Sequence, residues 1–240
     1  MLRAAGWAAM AASTLVIGAL LGAVMNASAR TVGLVMGFGA GALIAAVSFE
    51  LTQEAFERGG TVPLATGLAL GAVAFFVGDL VVDGMGGQHR KRMDRDHAGT
   101  PLALMLGATL DAVPESLIIG LSLIGGLPLQ TAFLVSVAVS NLPEGFASAA
   151  GQRRQGQTAV QIVPRWLVIV AISAVSGAVG FVAFDHLEPR AVALTEAFGA
   201  GALLVMVMDT MAPEAFRDAG PATGLMGVAG FAFAFLLGTV

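Results

Sequence analysis

The 240-residue sequence contains no cysteine. Disulfide scaffolds, thiolate metal sites and cysteine nucleophiles are excluded, and cysteine usage says nothing of compartment. Charge is scarce as well. Asp, Glu, Lys and Arg make up 12% of the chain, about half the usual share of a soluble domain. The formal net charge is −4, so the basic surplus expected of a nucleic-acid binder is missing. What fills the chain is apolar: 57% of residues, with a mean hydropathy of +0.85. No water-soluble fold of this size buries that much apolar surface, which excludes a soluble enzyme or regulator. The 32 glycines suit close helix–helix approach in lipid.

A membrane-crossing helix needs roughly 20 mostly apolar residues. Eight stretches qualify: 4–26, 31–56, 62–82, 100–124, 129–150, 164–186, 191–215 and 221–240. They consume nearly the whole chain as a single transmembrane domain over 1–240. A β-barrel would show alternating segments of about ten residues. These runs are longer and apolar all round, so the expected fold is an all-α integral membrane protein with eight transmembrane helices. Ala27-Ser28-Ala29 looks like a signal-peptidase site, but the apolar run before it exceeds the roughly 7–15 residues of a signal peptide. With the N-terminus outside, the inner loops carry Arg30, Arg90, Lys91, Arg92, Arg95, Arg153, Arg154, Arg165 and Arg217. The outer side keeps Arg3, Arg58 and Arg190. That asymmetry places both termini outside and loop 83–99 in the cytoplasm. A bacterial inner membrane is the expected location, with an organelle membrane the alternative.

Phe38-Gly39-Ala40-Gly41-Ala42-Leu43 recurs as Phe198-Gly199-Ala200-Gly201-Ala202-Leu203, and Glu54-Ala55-Phe56 recurs as Glu214-Ala215-Phe216. Trp7 matches Trp166, and Gly18-Ala19 matches Gly177-Ala178. Helices 1–3 thus resemble helices 6–8. The copies are separated by five helices, an odd number, so they cross the membrane in opposite directions. Inverted repeats of this kind are frequent in secondary transporters, whose sites lie near the midplane. Leu110-Asp111-Ala112-Val113-Pro114-Glu115-Ser116 also aligns with Val139-Ser140-Asn141-Leu142-Pro143-Glu144-Gly145. The chain reads as 3 + 2 + 3, with helices 4 and 5 at the pseudo-symmetry axis.

Asp111, Glu115 and Glu144 lie deep in their spans. An ionised acid at a helix centre costs roughly 2.5–3.5 kcal/mol on insertion scales. Glu50 and Asp209 are also inside spans, while Glu54, Asp79 and Glu214 lie nearer helix ends. No Lys or Arg falls in the middle of a span, and Arg165 and Arg190 sit at helix starts. The expected counterions are therefore protons, or a cation that comes and goes. Asp111 and Glu115 are i,i+4 on one helical face, and Ser140 and Glu144 repeat the spacing, with Asn141 three before Glu144. Two antiparallel helices meeting on these faces would gather several oxygen ligands. Pro114 and Pro143 each remove the hydrogen bond to the residue four back, freeing the Leu110 and Val139 carbonyls. The plainer alternative is that the prolines mark kinks and a protonated glutamate bonds a neighbouring helix.

At these residues the chain resembles the ZIP family of divalent-metal transporters. The family's fourth and fifth helices carry His-Asn-x-Pro-Glu-Gly and His-Glu-x-Pro-[His/Glu]-[Glu/Gly] motifs. The counterparts here are Asp111-Ala112-Val113-Pro114-Glu115-Ser116 and Ser140-Asn141-Leu142-Pro143-Glu144-Gly145. Thr52-Gln53-Glu54-Ala55 and Ala212-Pro213-Glu214-Ala215 look like the ends of the family's second and seventh helices. The resemblance implies metal ligands at Asp111, Glu115, Ser140 and Glu144, with Asn141 in an adjacent second site and both glutamates bridging. It also implies alternating access and a homodimer. The departures are Asp111 for the usual histidine, Ala112 for its asparagine neighbour, and Ser140 at the first polar position of helix 5. Helix 6 has no central acid, so one metal rather than two is expected. All-oxygen sites suit hard ions, whereas zinc favours imidazole and thiolate. The expected substrate is Mn²⁺ or Fe²⁺, with Zn²⁺ kept open by the resemblance.

Glu50, Glu54, Asp209 and Glu214 are candidates for an entry or exit path, or for plain contact with water. His89 and His97 in the basic loop 88–97 fit a topology signal better than a metal sensor. His186 beside Asp185 reads as surface, and Met206, Met208 and Met211 as core. No phosphate-binding glycine loop occurs, and Val77-Gly78-Asp79 lacks the upstream glycine of an intramembrane aspartyl protease. No enzyme and no organic cofactor are expected. The leading expectation is a divalent transition-metal transporter moving ions towards the cytoplasm. The alternatives are a degenerate, non-transporting relative that binds metal or a partner, and a transporter of another cationic solute.

Overall fold

A computed structural model describes residues 1–26, 28–87, 101–124, 130–184 and 187–239. Among them are eight main helices and no strand. These are α1 (Leu2–Val24), α2 (Ala29–Gly59), α3 (Thr61–Val82), α4 (Pro101–Leu121), α5 (Thr131–Arg154), α6 (Ala159–Phe184), α7 (Pro189–Ala219) and α8 (Ala222–Gly238). Six are long and apolar enough to cross a membrane; α8 is apolar but has 17 residues, and the 21-residue α4 carries Asp111 and Glu115. The chain is thus all-helical over these residues, with six to eight potential crossings. It is a membrane protein. Its outer faces agree: Val73, Val77 and Leu80 on α3, Val175 on α6, and Leu225 and Leu236 on α8 are exposed.

Helix ends follow local chemistry. The sequence predicts a sixth helix from 164, but α6 starts five residues earlier. The Thr158 backbone N–H donates to Gln161 Oε1 at 2.9 Å, the reciprocal half of a capping box, which sets the start. Arg165 therefore lies in the second turn rather than at the helix start. Ser28 caps α2 by accepting the Thr31 N–H at 3.1 Å. At 1.5 Å per residue the 31 residues of α2 and of α7 each reach about 46 Å, more than the ~30 Å hydrocarbon layer. Each carries charged residues in its last turns, Glu54–Arg58 in α2 and Arg217–Asp218 in α7. Ala27, the basic loop 88–97 with His89 and His97, and Asp185-His186 lie outside the described residues.

Helix association in lipid depends on small residues that let backbones meet. Here α1 packs on α5 and α6, α4 on α6, α2 on α8, and α3 on α7; α2 bridges to α5 and to α7. A Cβ built on Gly71 of α3 would stand 1.9 Å from the Phe198 carbonyl oxygen of α7. A Cβ on Gly230 of α8 would stand 1.9 Å from the Phe38 carbonyl oxygen of α2. Phe38 and Phe198 are the equivalent residues of the sequence repeat, so the same backbone contact occurs twice. α2 and α7 run antiparallel: Gly33 faces Ala215 and Asp218 at one end, while Arg58 reaches Glu196 at the other.

Both long helices widen to a π-turn at matching places, Val47–Thr52 in α2 and Val207–Met211 in α7. Such bulges re-aim side chains and recur at functional sites. Thr52 and Thr210 hydroxyls donate to the carbonyls of Val47 and Met206, repairing acceptors at the irregular turns. The central core joins Leu43, Leu51, Ile118, Phe133, Leu203 and Met206. α5 is the most enclosed helix, with 78% of its span window buried against 22% for α3 and α6.

Candidate functional site

Close packing places α5 at the centre. A Cβ on Gly145 would meet the Leu15 carbonyl oxygen of α1 at 2.3 Å, and one on Gly39 of α2 would meet Ser140 Cα at 2.8 Å. α4 and α5 run as unbroken α-helix through Pro114 and Pro143. The prolines omit one hydrogen bond each without breaking their helices, because the turns on either side remain bonded.

All five predicted ligands are inside: Asp111 is 3% exposed, Glu115 2%, Ser140 1%, Asn141 3% and Glu144 4%. Asn141 Nδ2 donates to the Ala11 carbonyl of α1 at 3.4 Å, which leaves its amide oxygen for another partner. The Ser140 hydroxyl donates to the Val137 carbonyl at 3.0 Å, keeping its lone pairs available as an acceptor. Asp111, Glu115 and Glu144 are each engaged with a neighbouring group. Among the described residues, no three His, Asp or Glu side chains stand together closely enough to hold a metal ion. The interior therefore offers oxygen donors on α4 and on α5 without a closed three-carboxylate cage.

The other predicted acids separate. Glu50 leaves the π-turn of α2 and accepts the Phe133 N–H at 2.7 Å, satisfying an orphan donor at the start of α5. Glu54 accepts from Gln130 Nε2 at 2.5 Å and pairs with Arg58. Arg58 also donates to Glu196 of α7 at 2.9 Å. Glu196 is 1% exposed, and its second carboxylate oxygen has no hydrogen-bond partner. Glu214 and Asp79 are buried. Asp209 is exposed and lines a largely apolar groove of about 600 Å³ between α3 and α7. Met206 and Met211 are core residues, as the sequence suggests, but Met208 points outwards.

Sequence reasoning missed Glu196 and Gln130. Glu196 had a readable signal, an acid within the seventh span. Gln130 had none, because its role depends on Glu54 arriving from a helix 76 residues away.

Comparison with known proteins adds one finding. Over 194 residues, 79% of this chain, the sequence is 28% identical to an Arabidopsis thaliana protein named "Putative zinc transporter". The match covers 30% of that relative's length. No protein-family model matches the chain.

Proposed function

We propose that this protein is a ZIP-like transporter that moves a divalent metal ion across a membrane, with the ion as substrate. Asp111, Glu115 and Glu144 are its principal ligands, assisted by Ser140 and Asn141. The observation that carries this reading is the burial of three carboxylates within an apolar helical bundle. Each ionised acid there is expensive, and an arriving dication supplies the charge that offsets the cost. In the empty protein, protons do so. The relative named for zinc transport supports a metal as substrate.

Antiparallel α2 and α7, their matching π-turns, and the twin contacts Gly71–Phe198 and Gly230–Phe38 support a 3 + 2 + 3 inverted repeat. In this reading both termini are outside, the ion moves towards the cytoplasm, and Glu50 and Glu54 stand at the outer mouth. Glu214 lies near the opposite end. Asp209, on an outer groove, belongs to the pathway only if α3 and α7 separate. The Asp111–Glu115 pair and Glu144 stand on different helices, so the coordination shell closes around the ion as α4 and α5 adjust to it. The absence of imidazole and thiolate donors favours Mn²⁺ or Fe²⁺ over Zn²⁺.

A second reading, a membrane protein that binds metal or a partner without transport, is favoured by the lack of a preformed cluster among the described residues. Purified protein in liposomes, challenged with Mn²⁺, Fe²⁺, Zn²⁺, Co²⁺ and Cd²⁺, separates the two. Metal uptake that Glu115→Gln and Glu144→Gln abolish is the expected result. Binding without uptake would establish the second reading, and neither binding nor uptake would refute both.

A further inference from the structure

α5 carries a polar residue at every fourth position through its buried length: Ser136, Ser140, Glu144, Ser148 and Gln152. Each is at most 4% exposed. Consecutive members are neighbours on the helix surface. The file covers seventeen residues, rises about 24 Å, most of the ~30 Å hydrocarbon layer, and winds about 160° round α5 on the way. Packing alone does not call for oxygen at these positions: Gly39 of α2 approaches the backbone of Ser140, and Gly18 and Gly22 of α1 meet the backbone of Leu142 and Phe146, contacts that need small residues rather than polar ones. A buried hydroxyl without a hydrogen bond is unfavourable, yet Ser136 Oγ is fully enclosed and has no partner.

The Gln152 end of the file is bonded shut. Gln152 Nε2 donates to Ser148 Oγ at 3.4 Å. Arg165 of α6 donates through one nitrogen to Gln152 Oε1 at 2.7 Å and to Gln157 Oε1 at 2.5 Å. A fixed positive charge thus stands beside the last oxygen of the file. The other end of α5 begins beside Gln130, Glu50 and Glu54, which are hydrogen-bonded to one another and to the first turn of the helix.

We propose that Ser136, Ser140, Glu144, Ser148 and Gln152 line the route of the cation through the protein, and that Arg165 is a tethered cation closing the Gln152 end. The inference rests on the transport reading and extends it to a path and a gate. An ion reaching Ser148 meets the guanidinium and is repelled. Passage requires Arg165 to leave Gln152, which a shift of α6 relative to α5 accomplishes.

The cysteine-free chain allows a direct test by thiol labelling in proteoliposomes, because Ser→Cys is nearly isosteric and the background is silent. Ser136→Cys, Ser148→Cys and, on the α1 flank, Ala150→Cys are treated with a membrane-impermeant methanethiosulfonate while Mn²⁺ flux is recorded on the same preparation. Ser136→Cys is expected to react and to be protected by Mn²⁺, with Ala150→Cys inert. Ser148→Cys reacts slowly, and Arg165→Gln accelerates it about tenfold, the factor associated with losing one charge-assisted hydrogen bond. Arg165→Lys keeps the charge and the slow rate, which separates gating from misfolding. Equal rates at Ser148→Cys with and without Arg165→Gln would overturn the gate, and equal reactivity of Ala150→Cys and Ser148→Cys would overturn the route. If Mn²⁺ and the other metals show no flux in unsubstituted protein, the transport reading itself fails, whatever the labelling pattern.

Discussion

Replacing Arg58 with Met should unfold the α2–α7 contact in a way that its partners make calculable. Arg58 is the cation of two pairs. Glu54 is 30% exposed, so losing that pair costs at most about 1 kcal/mol. Glu196 is 1% exposed and keeps no other charged partner, while the Arg58 side chain is 24% exposed. Removing one partner of a buried pair costs about 3–5 kcal/mol. Water reaching Arg58 screens the native pair, which lowers the expected loss for Arg58→Met to about 2–3 kcal/mol. Most of that loss comes from leaving the buried Glu196 carboxyl without its partner rather than from the broken bond. Adding Glu196→Gln removes that carboxyl, so the double variant should lie within about 1 kcal/mol of the parent. Equilibrium unfolding in mixed micelles, followed by the fluorescence of Trp7 and Trp166, measures both. A single variant as stable as the parent, or a double variant less stable than the single one, would refute the reasoning.

Three further outcomes follow from the packing and the site. Gly71→Ala and Gly230→Ala each force a Cβ against a carbonyl oxygen, so each should cost about 1–3 kcal/mol in the same unfolding assay. The two losses should agree closely, whereas Gly224→Ala, whose Cβ meets only the tip of Phe216 at 3.9 Å, should be nearly neutral. Glu50→Ala removes the carboxylate that accepts the Phe133 N–H and should destabilise the protein by about 1 kcal/mol, with helix content unchanged by circular dichroism. Asp111→His adds an imidazole donor and should raise the ranking of Zn²⁺ over Mn²⁺ in competition uptake; an unchanged ranking would contradict the assignment of Asp111 as a ligand.

The helical class was legible because long apolar runs leave a chain few other structures. The recurring motif stands out for a related reason: Phe38-Gly39-Ala40-Gly41 and Phe198-Gly199-Ala200-Gly201 sit where backbones touch, and contact tolerates few residue types. The burial of Asp111, Glu115, Ser140, Asn141 and Glu144 could be read from their depth in the spans. Their distances from one another could not, because i,i+4 spacing fixes a face of one helix and says nothing of how α4 and α5 meet. Two irregularities were invisible. The π-turns have no strong sequence signal, and they turn Asp209 outwards and Glu50 towards α5. Arg58 appeared as an outer-loop charge, while its long side chain reaches Glu196 on a helix 138 residues further along. The apolar run placed the start of the sixth helix at 164, whereas the Thr158–Gln161 cap sets it at Ala159, five residues earlier.

The central claim is that the carboxylates of α4 and α5 hold a divalent cation. Mn²⁺ titrated into the purified protein and followed by the resonance of the free ion reads this without any need for flux. The account predicts a saturable site that Glu115→Gln and Glu144→Gln each abolish and that Glu57→Gln, on the exposed end of α2, leaves intact. Mn²⁺ that stays free in the unsubstituted protein, or binding indifferent to Glu115 and Glu144, would contradict it.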